Sequence, residues 1–480
     1  MTTAIWQPEY NVKVSGKLKK RFKKQHKKSP KAEFKASLSD LQQSLLPPNL
    51  PTSSADWLLT APDSVSNHSS KNTGKENHSK LAKPAEHLTQ LIQEQNWQWP
   101  SSPIVYITDP HADAEALLHS IVSSGGVVRT GPSLQDFKLT RFGKSAHFVI
   151  GGDCFDKGPS NLQLLDFMQL LEEKGAKLSI LAGNHDLRVI FGMQQAGKHC
   201  SRNSHFFVRM GTKCIPLIQE LIERHKLHDR LPKNTPDLET CRKALLPTEQ
   251  WFKRFPVEAK WVMPEDKIDK EVKKVREKIR DFTKHCDAID LDLRLVYAAV
   301  LKFQQEFLTK NGAYHWFYKK LQLAMQEGSF LFLHAGVDDR FSSQLGNIGI
   351  KKLNKRFRME LEDNTPFELY YGSFFNTVRT KYRSGDLPFT EEGAANLRES
   401  GVLAIVQGHI NKTEGQSIQI RENIIHLECD ITLDRNSRIK EGLNTHGAGC
   451  TLLLPSQKIV GISTDWHQAK LLDMTPQAIH

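Results

Sequence analysis

Short apolar runs that end on polar residues are the most regular pattern in the chain. The runs are IVYITDPH (104–111), AHFVIGGDCFDKG (146–158), KLSILAGNHD (177–186), SFLFLHAG (329–336) and VLAIVQGHIN (402–411). Runs of this length, bounded by Gly and rich in Val, Ile, Leu and Phe, are typical of strands buried on both faces. Because such strands belong to sheets that helices cover, the pattern predicts an α/β fold.

Helical periodicity fills the segments between the first of these predicted strands. Residues 112–124 carry apolar side chains three and four positions apart and stop at Gly125. Residues 161–174 begin behind Ser160 and stop at Gly175. Ser before a helix and Gly after it are common end signals. The alternation of strand, loop, helix and strand is that of βαβ units, which again indicates an α/β core.

A long helical segment, residues 201–325, separates the third predicted strand from the fourth. One highly charged helix behind Pro264 has an apolar seam at alternating steps of four and three, formed by Ile268, Val272, Val275, Ile279 and Phe282. Residues 293–308 and 314–325 are predicted to be further apolar helices, the last ending near Gly328. We therefore predict a helical insertion within a domain made of residues 86–200 and 326–480.

The N-terminal residues 1–85 differ in composition from the rest. Residues 1–40 contain eleven Lys or Arg and three acidic residues, and so hold most of the net charge of +12. This basic arm is predicted to bind nucleic acid or an anionic surface, or else to be a solubilising disordered tail. Residues 47–86, rich in Ser, Asn, Pro and Lys, are predicted to be a linker.

Cysteine usage and hydropathy indicate the compartment. The seven cysteines are an odd number without paired spacing, which argues against a disulfide framework. The N-terminus lacks the pattern of a signal peptide, and no stretch approaches the roughly 18 to 20 apolar residues of a membrane span. A soluble, cytoplasmic protein without a membrane span is therefore expected.

The polar ends of the five apolar runs carry residues that bind metals. Open sheets collect functional groups beyond their strand ends, so these residues are expected to meet at one edge. The donors are Asp109, His111, Asp153, Asn184, His334 and His409. Carboxylate, imidazole and amide ligands suit Mn, Fe or Zn better than Mg or Ca. Six donors exceed the needs of one four-coordinate ion, and two divalent metal ions sharing a carboxylate fit the set better.

The ordered motifs Asp-x-His, Gly-Asp-x-x-Asp-Lys-Gly, Gly-Asn-His-Asp, His-Ala-Gly and Gly-His resemble those of the calcineurin-like metallophosphoesterase superfamily. The Asp-Lys-Gly ending of the second motif is similar to that of the phosphoprotein phosphatase branch, which includes bacterial diadenosine tetraphosphatases. The resemblance covers residues from about 102 to about 465. It implies an α+β sandwich in which two central sheets are flanked by helices.

The resemblance also implies a role for each site residue. Asp109 and His111 would hold one ion, Asp153 would bridge, and the second ion would be completed by Asn184, His334 and His409. A metal-bound hydroxide would attack the phosphate ester. His185 occupies the position of the general acid that protonates the leaving oxygen, and Asp156 that of the carboxylate that orients it.

Two cations are candidates for binding the phosphate group of a substrate. Lys157 stands where the protein phosphatases have Arg, and it replaces a planar bidentate group with a point charge. Arg383 is a second candidate, although a solvated basic face is an equally good explanation for that region. Asp430 follows another strand-like run, but Asp at a strand end is more often a turn residue.

These features predict a metal-dependent phosphoesterase, foremost a phosphomonoesterase of the phosphoprotein phosphatase type acting on a phosphorylated substrate. One alternative is a hydrolase of diadenosine polyphosphates or other nucleotides, which would use the same metals. Another is a nucleic-acid-binding protein with a secondary phosphoesterase site. Because the insertion is rooted beside the metal ligands, it is expected to cover the site, or otherwise to serve as a packing or dimerisation module.

Overall fold

The computed structural model describes residues 58–59, 77–198, 203–362, 366–466 and 468–475. Its strands are β1 (Leu58–Leu59), β2 (Ile104–Ile107), β3 (Val127–Arg129), β4 (Phe137–Leu139), β5 (His147–Ile150), β6 (Lys177–Leu181), β7 (Leu321–Gln322), β8 (Ala324–Glu327), β9 (Phe330–Leu333), β10 (Ala404–Gln407), β11 (Ser417–Arg421), β12 (Ile424–Glu428), β13 (Gly449–Leu454), β14 (Lys458–Ser463) and β15 (Lys470–Asp473).

The helices lie between and after these strands. They are α1 (Asn77–Glu94), α2 (Ala114–Ser123), α3 (Arg141–Ser145), α4 (Asn161–Glu173), α5 (Asn184–Gln195), α6 (His205–Arg209), α7 (Ile215–Arg224), α8 (Leu238–Leu245), α9 (Glu249–Ala259), α10 (Glu265–Ala288), α11 (Leu293–Phe303), α12 (His315–Lys320), α13 (Asp339–Glu362), α14 (Pro366–Tyr371), α15 (Ser373–Asn376), α16 (Glu391–Glu399) and α17 (Arg435–Glu441). A 3-10 turn, Gly211–Cys214, links α6 to α7, and α13 is kinked at Gly349.

Two mixed sheets form the centre. The order of the first is β1-β11-β12-β10-β9-β8, and that of the second is β15-β14-β13-β2-β5-β6-β7. The strands β2, β5 and β6 run parallel, as do β9 and β10. Parallel neighbours present their carboxyl ends at one edge, which is where the polar ends of the apolar runs lie.

Side-chain alternation explains why the strands are apolar on both faces. Ile104 and Tyr106 of β2 belong to a core shared with the other sheet, where the Tyr106 ring lies 5.8 Å from that of Phe332. Their neighbours Val105 and Ile107 belong instead to the core formed with the helices. The predicted fold, two central sheets flanked by helices, is confirmed.

The chain departs from the predicted elements at residues 321–327. The sequence pattern extends a helix from Tyr314 to Met325, whereas the helix ends at Lys320 and the following residues form β7 and β8. The reason is tertiary: β7 extends the second sheet beside β6, and β8 pairs with β9 of the first. Apolar spacing over so short a segment is compatible with either structure, and the available sheet edges decide between them.

The N-terminal boundary also differs from the prediction. Helix α1 begins at Asn77 within the stretch predicted to be linker, and Leu58–Leu59 pairs with β11 as a parallel edge strand. The composition of this stretch is polar, but Leu88 and Leu91 of α1 bury their side chains in the core between the sheets. The predicted basic arm, residues 1–40, lies outside the described residues.

Within the described part of the chain, no helix is both long enough and apolar enough to cross a membrane.

Candidate metal centre

The polar ends of five strands meet at one edge of the two sheets, as the sequence predicted. Asp109, Asp153 and His334 are buried, and hydrogen bonds join their loops to one another. Backbone N–H groups of Asp109 and His111 donate to the carbonyls of Gly152 and Asp153, at 3.1 and 3.0 Å. The backbone N–H of His409 donates to the Asp109 carboxylate at 3.0 Å, which joins the two sheets at the centre.

Six of the predicted site residues have left-handed backbone conformations. Their φ angles are 55° for Asp109, 40° for His111, 57° for Asp153, 69° for Asp156, 68° for Lys157 and 68° for His409. Residues with side chains rarely adopt this region, and such conformations persist where the surrounding structure enforces them. The tight turns direct each side chain back toward the shared edge.

Asp186 holds two of these loops together. Its carboxylate accepts hydrogen bonds from the backbone N–H groups of Asp153, Cys154 and Gly183, each at 2.8 Å. The residue is fully buried, and burial together with the neighbouring Asp153 carboxylate raises its pKa to about 7. In the sequence, Asp186 is simply the last residue of the motif Gly-Asn-His-Asp. Its function as the anchor of the Asp153 loop depends on hydrogen bonds that the sequence does not reveal.

Three histidines each direct one ring N–H at a backbone carbonyl. His111 Nδ1 donates to Phe155 O at 3.1 Å, His334 Nδ1 to Gly151 O at 2.8 Å, and His409 Nε2 to Arg379 O at 3.0 Å. A carbonyl can only accept, so the other nitrogen of each ring keeps its lone pair. Histidines that bind metals are commonly oriented by a hydrogen bond of this kind.

The remaining nitrogens and carboxylates converge in two groups that share Asp153. One group is His111, Asp153 and His185, the other is Asp153, His334 and His409, and the ligand atoms of each lie within 4.8 Å of one another. His111 Nε2 is 3.6 Å from the Asp153 carboxylate and 3.7 Å from that of Asp109. The Asp153 carboxylate is thus common to both groups of possible ligand atoms.

The Asn184 amide tests whether these residues fit a metal ion. It lies 3.3 Å from His334 Nε2 and 3.0 Å from His409 Nδ1. When the amide oxygen faces the two imidazole nitrogens, all three atoms are hydrogen-bond acceptors and none is a donor. A bound cation would satisfy all three. The carboxylates favour positive charge at the same place. Burial lowers the pKa of His334, but the Asp153 and Asp109 carboxylates raise it by more, so that the pKa is higher than usual. The donor set therefore fits divalent ions with mixed N and O ligands.

His185 differs from the other three histidines in its partner. Its Nδ1 lies 2.8 Å from Asp156 Oδ2, a carboxylate instead of a carbonyl, and its Nε2 is 3.9 Å from Asp153. Burial lowers the pKa of His185 well below its usual value and raises that of Asp156 to about 7. The second oxygen of Asp156 is buried without a hydrogen-bond partner. A carboxylate behind an imidazole fixes its tautomer and stabilises its protonated form, as a general acid needs.

The structure brings one of the two predicted phosphate-binding residues to the centre. Lys157 Nζ lies 2.6 Å from His111 Nε2, directly beside the ligand atoms. Arg383 is exposed, and its backbone N–H donates to Asp386 at 3.0 Å. Lys381, two residues earlier, is closer to the centre, because its ammonium interacts electrostatically with Asp109, Asp430 and Lys157.

Two further cations that the sequence analysis missed lie on the His185 side. Arg188, one turn after His185 on α5, and Lys213, in the 3-10 turn of the insertion, both act electrostatically on Asp156 and His185. Arg188 follows the third motif at helical spacing and could have been found from it. Lys213 could not, because only the folding of the insertion brings it here.

Asp430 is buried on the opposite side. Its carboxylate accepts from the backbone N–H of Thr432 at 2.9 Å, as predicted for a turn residue. Burial and the nearby Asp109 carboxylate raise its pKa to about 8.

The chain is similar to several known phosphatases. A cold-active protein tyrosine phosphatase gives a TM-score of 0.41 at 15% identity and covers 80% of this chain and 84% of its own. A second structure of a cold-active protein-tyrosine phosphatase, from a psychrophilic Shewanella species, gives 0.39 at 14% identity, with 86% and 89% covered. A Saccharomyces cerevisiae protein serine/threonine phosphatase gives 0.32 at 11%, with 79% and 83% covered. At these TM-scores the similarities carry no argument about substrate.

No curated protein sequence matches the chain significantly. The sequence model of the calcineurin-like phosphoesterase family matches residues 102–412, which span all five motifs and the insertion. This match, on the residues that the structure gathers at one sheet edge, confirms the predicted superfamily. The chain belongs to the calcineurin-like phosphoesterase family and is a metal-dependent hydrolase of phosphate esters.

Proposed function

We propose that the protein is a dinuclear phosphomonoesterase of the phosphoprotein phosphatase type. The observation that carries this proposal is the shared position of Asp153 between two groups of ligand atoms. Asp109 and His111 would hold one ion with Asp153; Asn184, His334 and His409 would hold the other. Mn, Fe and Zn all accept this combination of carboxylate, imidazole and amide. When bound, such ions would lower the pKa of a water nucleophile and neutralise charge on the phosphoryl oxygens.

His185 would protonate the leaving oxygen. Its Nδ1 is hydrogen-bonded to Asp156 at 2.8 Å, so the proton to be transferred would be carried by Nε2, which faces the Asp153 side of the centre. The closeness of His185 to Asp153 also permits a ligand role. We favour the acid because its ring nitrogen contacts a carboxylate, whereas the rings of His111, His334 and His409 contact carbonyls.

Fixed cations around the centre support a phosphate substrate. Lys157 contacts His111, and Arg188 is half-buried on α5 without an ion-pair partner among the described residues. A half-buried guanidinium that makes no ion pair is available to bind an anion. Such groups can stabilise the charge that spreads over the phosphoryl oxygens as the ester bond breaks. We propose Lys157 and Arg188 as the principal phosphate ligands, with Lys381 favoured over Arg383 as the next.

The compartment and the domain organisation are also proposals. Six cysteines are described, and all six are buried and free, which favours a reducing compartment such as the cytoplasm. We propose that residues 86–200 and 321–480 form the catalytic domain, because β7 and β8 belong to its two sheets, and that the insertion spans residues 201–320.

An assay of the purified full chain tests the function. We expect hydrolysis of p-nitrophenyl phosphate and of a phosphopeptide in the presence of Mn, and loss of both on metal chelation. Bis-p-nitrophenyl phosphate should be a poor substrate. A strong preference for diadenosine tetraphosphate would support the nucleotide hydrolase instead. Failure to hydrolyse any of these substrates, by protein that binds metal, would contradict the proposal.

A further inference from the structure

The helical insertion packs directly on the helix that carries His185. The ring of Phe206 in α6 lies 5.9 Å from that of Phe191 in α5. Phe191 and His185 belong to the same helix. Met210 packs so closely on Gly192 that a Cβ there would come within 2.7 Å of it. The start of the insertion is therefore held in a fixed position relative to the proposed acid.

The 3-10 turn Gly211–Cys214 lies next to Asp156. Cys214 is buried, and burial, together with the Asp156 carboxylate, raises the pKa of its thiol well above the usual value. Lys213, the preceding residue, is solvent-exposed and interacts electrostatically with Asp156, Asp153 and His185. The turn thus places a cation at the open side of the acid pair.

A second lysine of the insertion stands behind the first. Lys278 comes from α10, and its ammonium lies over the turn, since a Cβ on Gly211 would be 2.6 Å from Lys278 Nζ. The charged groups that act most strongly on Lys278 are cations: Arg209, Arg188, Lys274 and Lys213. Of these, Arg209 is satisfied by Glu271 at 3.0 Å.

The other cations of this group make no short ion pair with a described carboxylate, although Lys213 and Arg188 interact electrostatically with Asp156. Within the described part of the chain, Lys213, Lys278 and Arg188 form no ion pair. Mutually repelling cations beside a centre are stabilised when an anion binds between them. Lys157 and Arg188, the cations nearest the proposed metal ligands, are explained by their proposed binding of the phosphoryl group. Lys213 interacts electrostatically with His185, which would protonate the leaving group, and Lys278 lies over the same turn.

We propose that the insertion binds a second anionic group of the substrate, carried by the leaving group. Lys213 contacts that group and Lys278 reinforces the positive potential behind it. The substrate chemistry is a phosphate ester or anhydride whose leaving group has a carboxylate or phosphate next to the scissile bond. This inference rests on the proposed function, since it assigns the leaving-group side from His185.

Matched substrates test the assignment. A pair of phosphopeptides that differ only in Glu or Gln beside the phosphorylated residue gives the preference for an anionic leaving group as a ratio of kcat/KM. We expect Lys213→Ala to reduce this ratio about tenfold, the effect of one charge-assisted hydrogen bond. Lys213→Arg should retain it. Lys273→Ala removes the same charge from another face of α10 and should leave the ratio unchanged.

Diadenosine tetraphosphate forms a second arm. If Lys213→Ala lowers kcat/KM for diadenosine tetraphosphate alone, the second charge comes from a phosphoanhydride. If it lowers kcat/KM for the Glu peptide alone, the second charge comes from an acidic peptide. Either result supports the proposal. An unchanged preference in both arms, for Lys213→Ala and Lys278→Ala proteins that bind metal and hydrolyse p-nitrophenyl phosphate, would overturn it. Absence of any phosphoester hydrolysis in the unmodified chain would contradict the proposed function instead.

Discussion

The loops that follow β2, β5, β9 and β10 and the helices of the insertion differ in how they contribute to the site. The loops are short, and their backbone is strained at Asp109, Asp153 and His409 so that buried polar groups meet. The insertion is made of regular amphipathic helices, and the side chains it brings to the centre, such as Lys213, are exposed. The loops would fix the chemistry, whereas the insertion would set which substrates are bound.

This difference explains which variations each region tolerates. A ligand at a strand end is held by hydrogen bonds from several loops, so a change at one position disturbs others. A lysine on the surface of the insertion is in contact with water and affects only substrates that carry a group for it to bind. We therefore expect large, all-or-none effects from the loops and graded, substrate-dependent effects from the insertion.

The largest effect is expected from Asp153→Asn. Because both groups of ligand atoms include the Asp153 carboxylate, the neutral amide should weaken both metal sites. We expect metal content and activity to be lost together, with turnover falling to background. Metal analysis beside the p-nitrophenyl phosphate assay checks this. Full metal content with full activity would show that Asp153 is not shared.

His185→Asn should separate chemistry from metal binding. General acid catalysis contributes about 100- to 10,000-fold, so turnover should fall by a factor in that range while the metal content stays unchanged. A substrate with a better leaving group should suffer less, since its oxygen needs no proton. Equal losses for good and poor leaving groups would contradict the role of His185 as the acid.

Asp186→Ala should act on stability first. The substitution leaves four buried backbone N–H groups, those of Asp153, Cys154, Phe155 and Gly183, without this acceptor. We expect the free energy of unfolding to fall by about 3 kcal/mol. Denaturant titration measures it. Asp229→Ala, at an exposed turn carboxylate, is the control, and an equal effect of the two substitutions would refute the anchoring function.

The smallest effect is expected from deletion of residues 1–41. This removes eleven Lys or Arg and no proposed site residue, so turnover of a small phosphomonoester should change less than about twofold. Binding to RNA or to anionic vesicles at low salt, compared before and after the deletion, tests the predicted function of the basic arm. A large loss of turnover would show that the arm reaches the centre.

The sequence predicted the strand ends well because two independent signals coincide there. Buried strands give continuous apolar runs, and the ligands follow them at once, so Asp109, Asp153 and His334 could be placed at one edge without coordinates. The helix seam at Ile268, Val275 and Phe282 was equally visible, and all three side chains are buried. Local periodicity and burial agree in both cases.

Other features depend on contacts between distant parts of the chain. Residues 321–327 are strands because two sheet edges are available to them, and no local pattern indicates those edges. Lys213 reaches Asp156 only because α6 packs on α5. Arg383 was predicted as a second phosphate ligand, but it is exposed and its backbone N–H donates to Asp386. Lys381, two residues earlier, interacts electrostatically with Asp109, and no local pattern indicates this.

Anomalous diffraction from crystals grown with Mn would locate the metal ions and their ligands. We expect two peaks roughly 3.5–4 Å apart, the separation usual for dinuclear centres. Asp153 should ligate both ions, Asp109 and His111 only one, and Asn184, His334 and His409 only the other, with His185 bound to neither. A single peak would show that the centre is not dinuclear, and a peak with His185 in its coordination sphere would show that His185 is a ligand and not the acid.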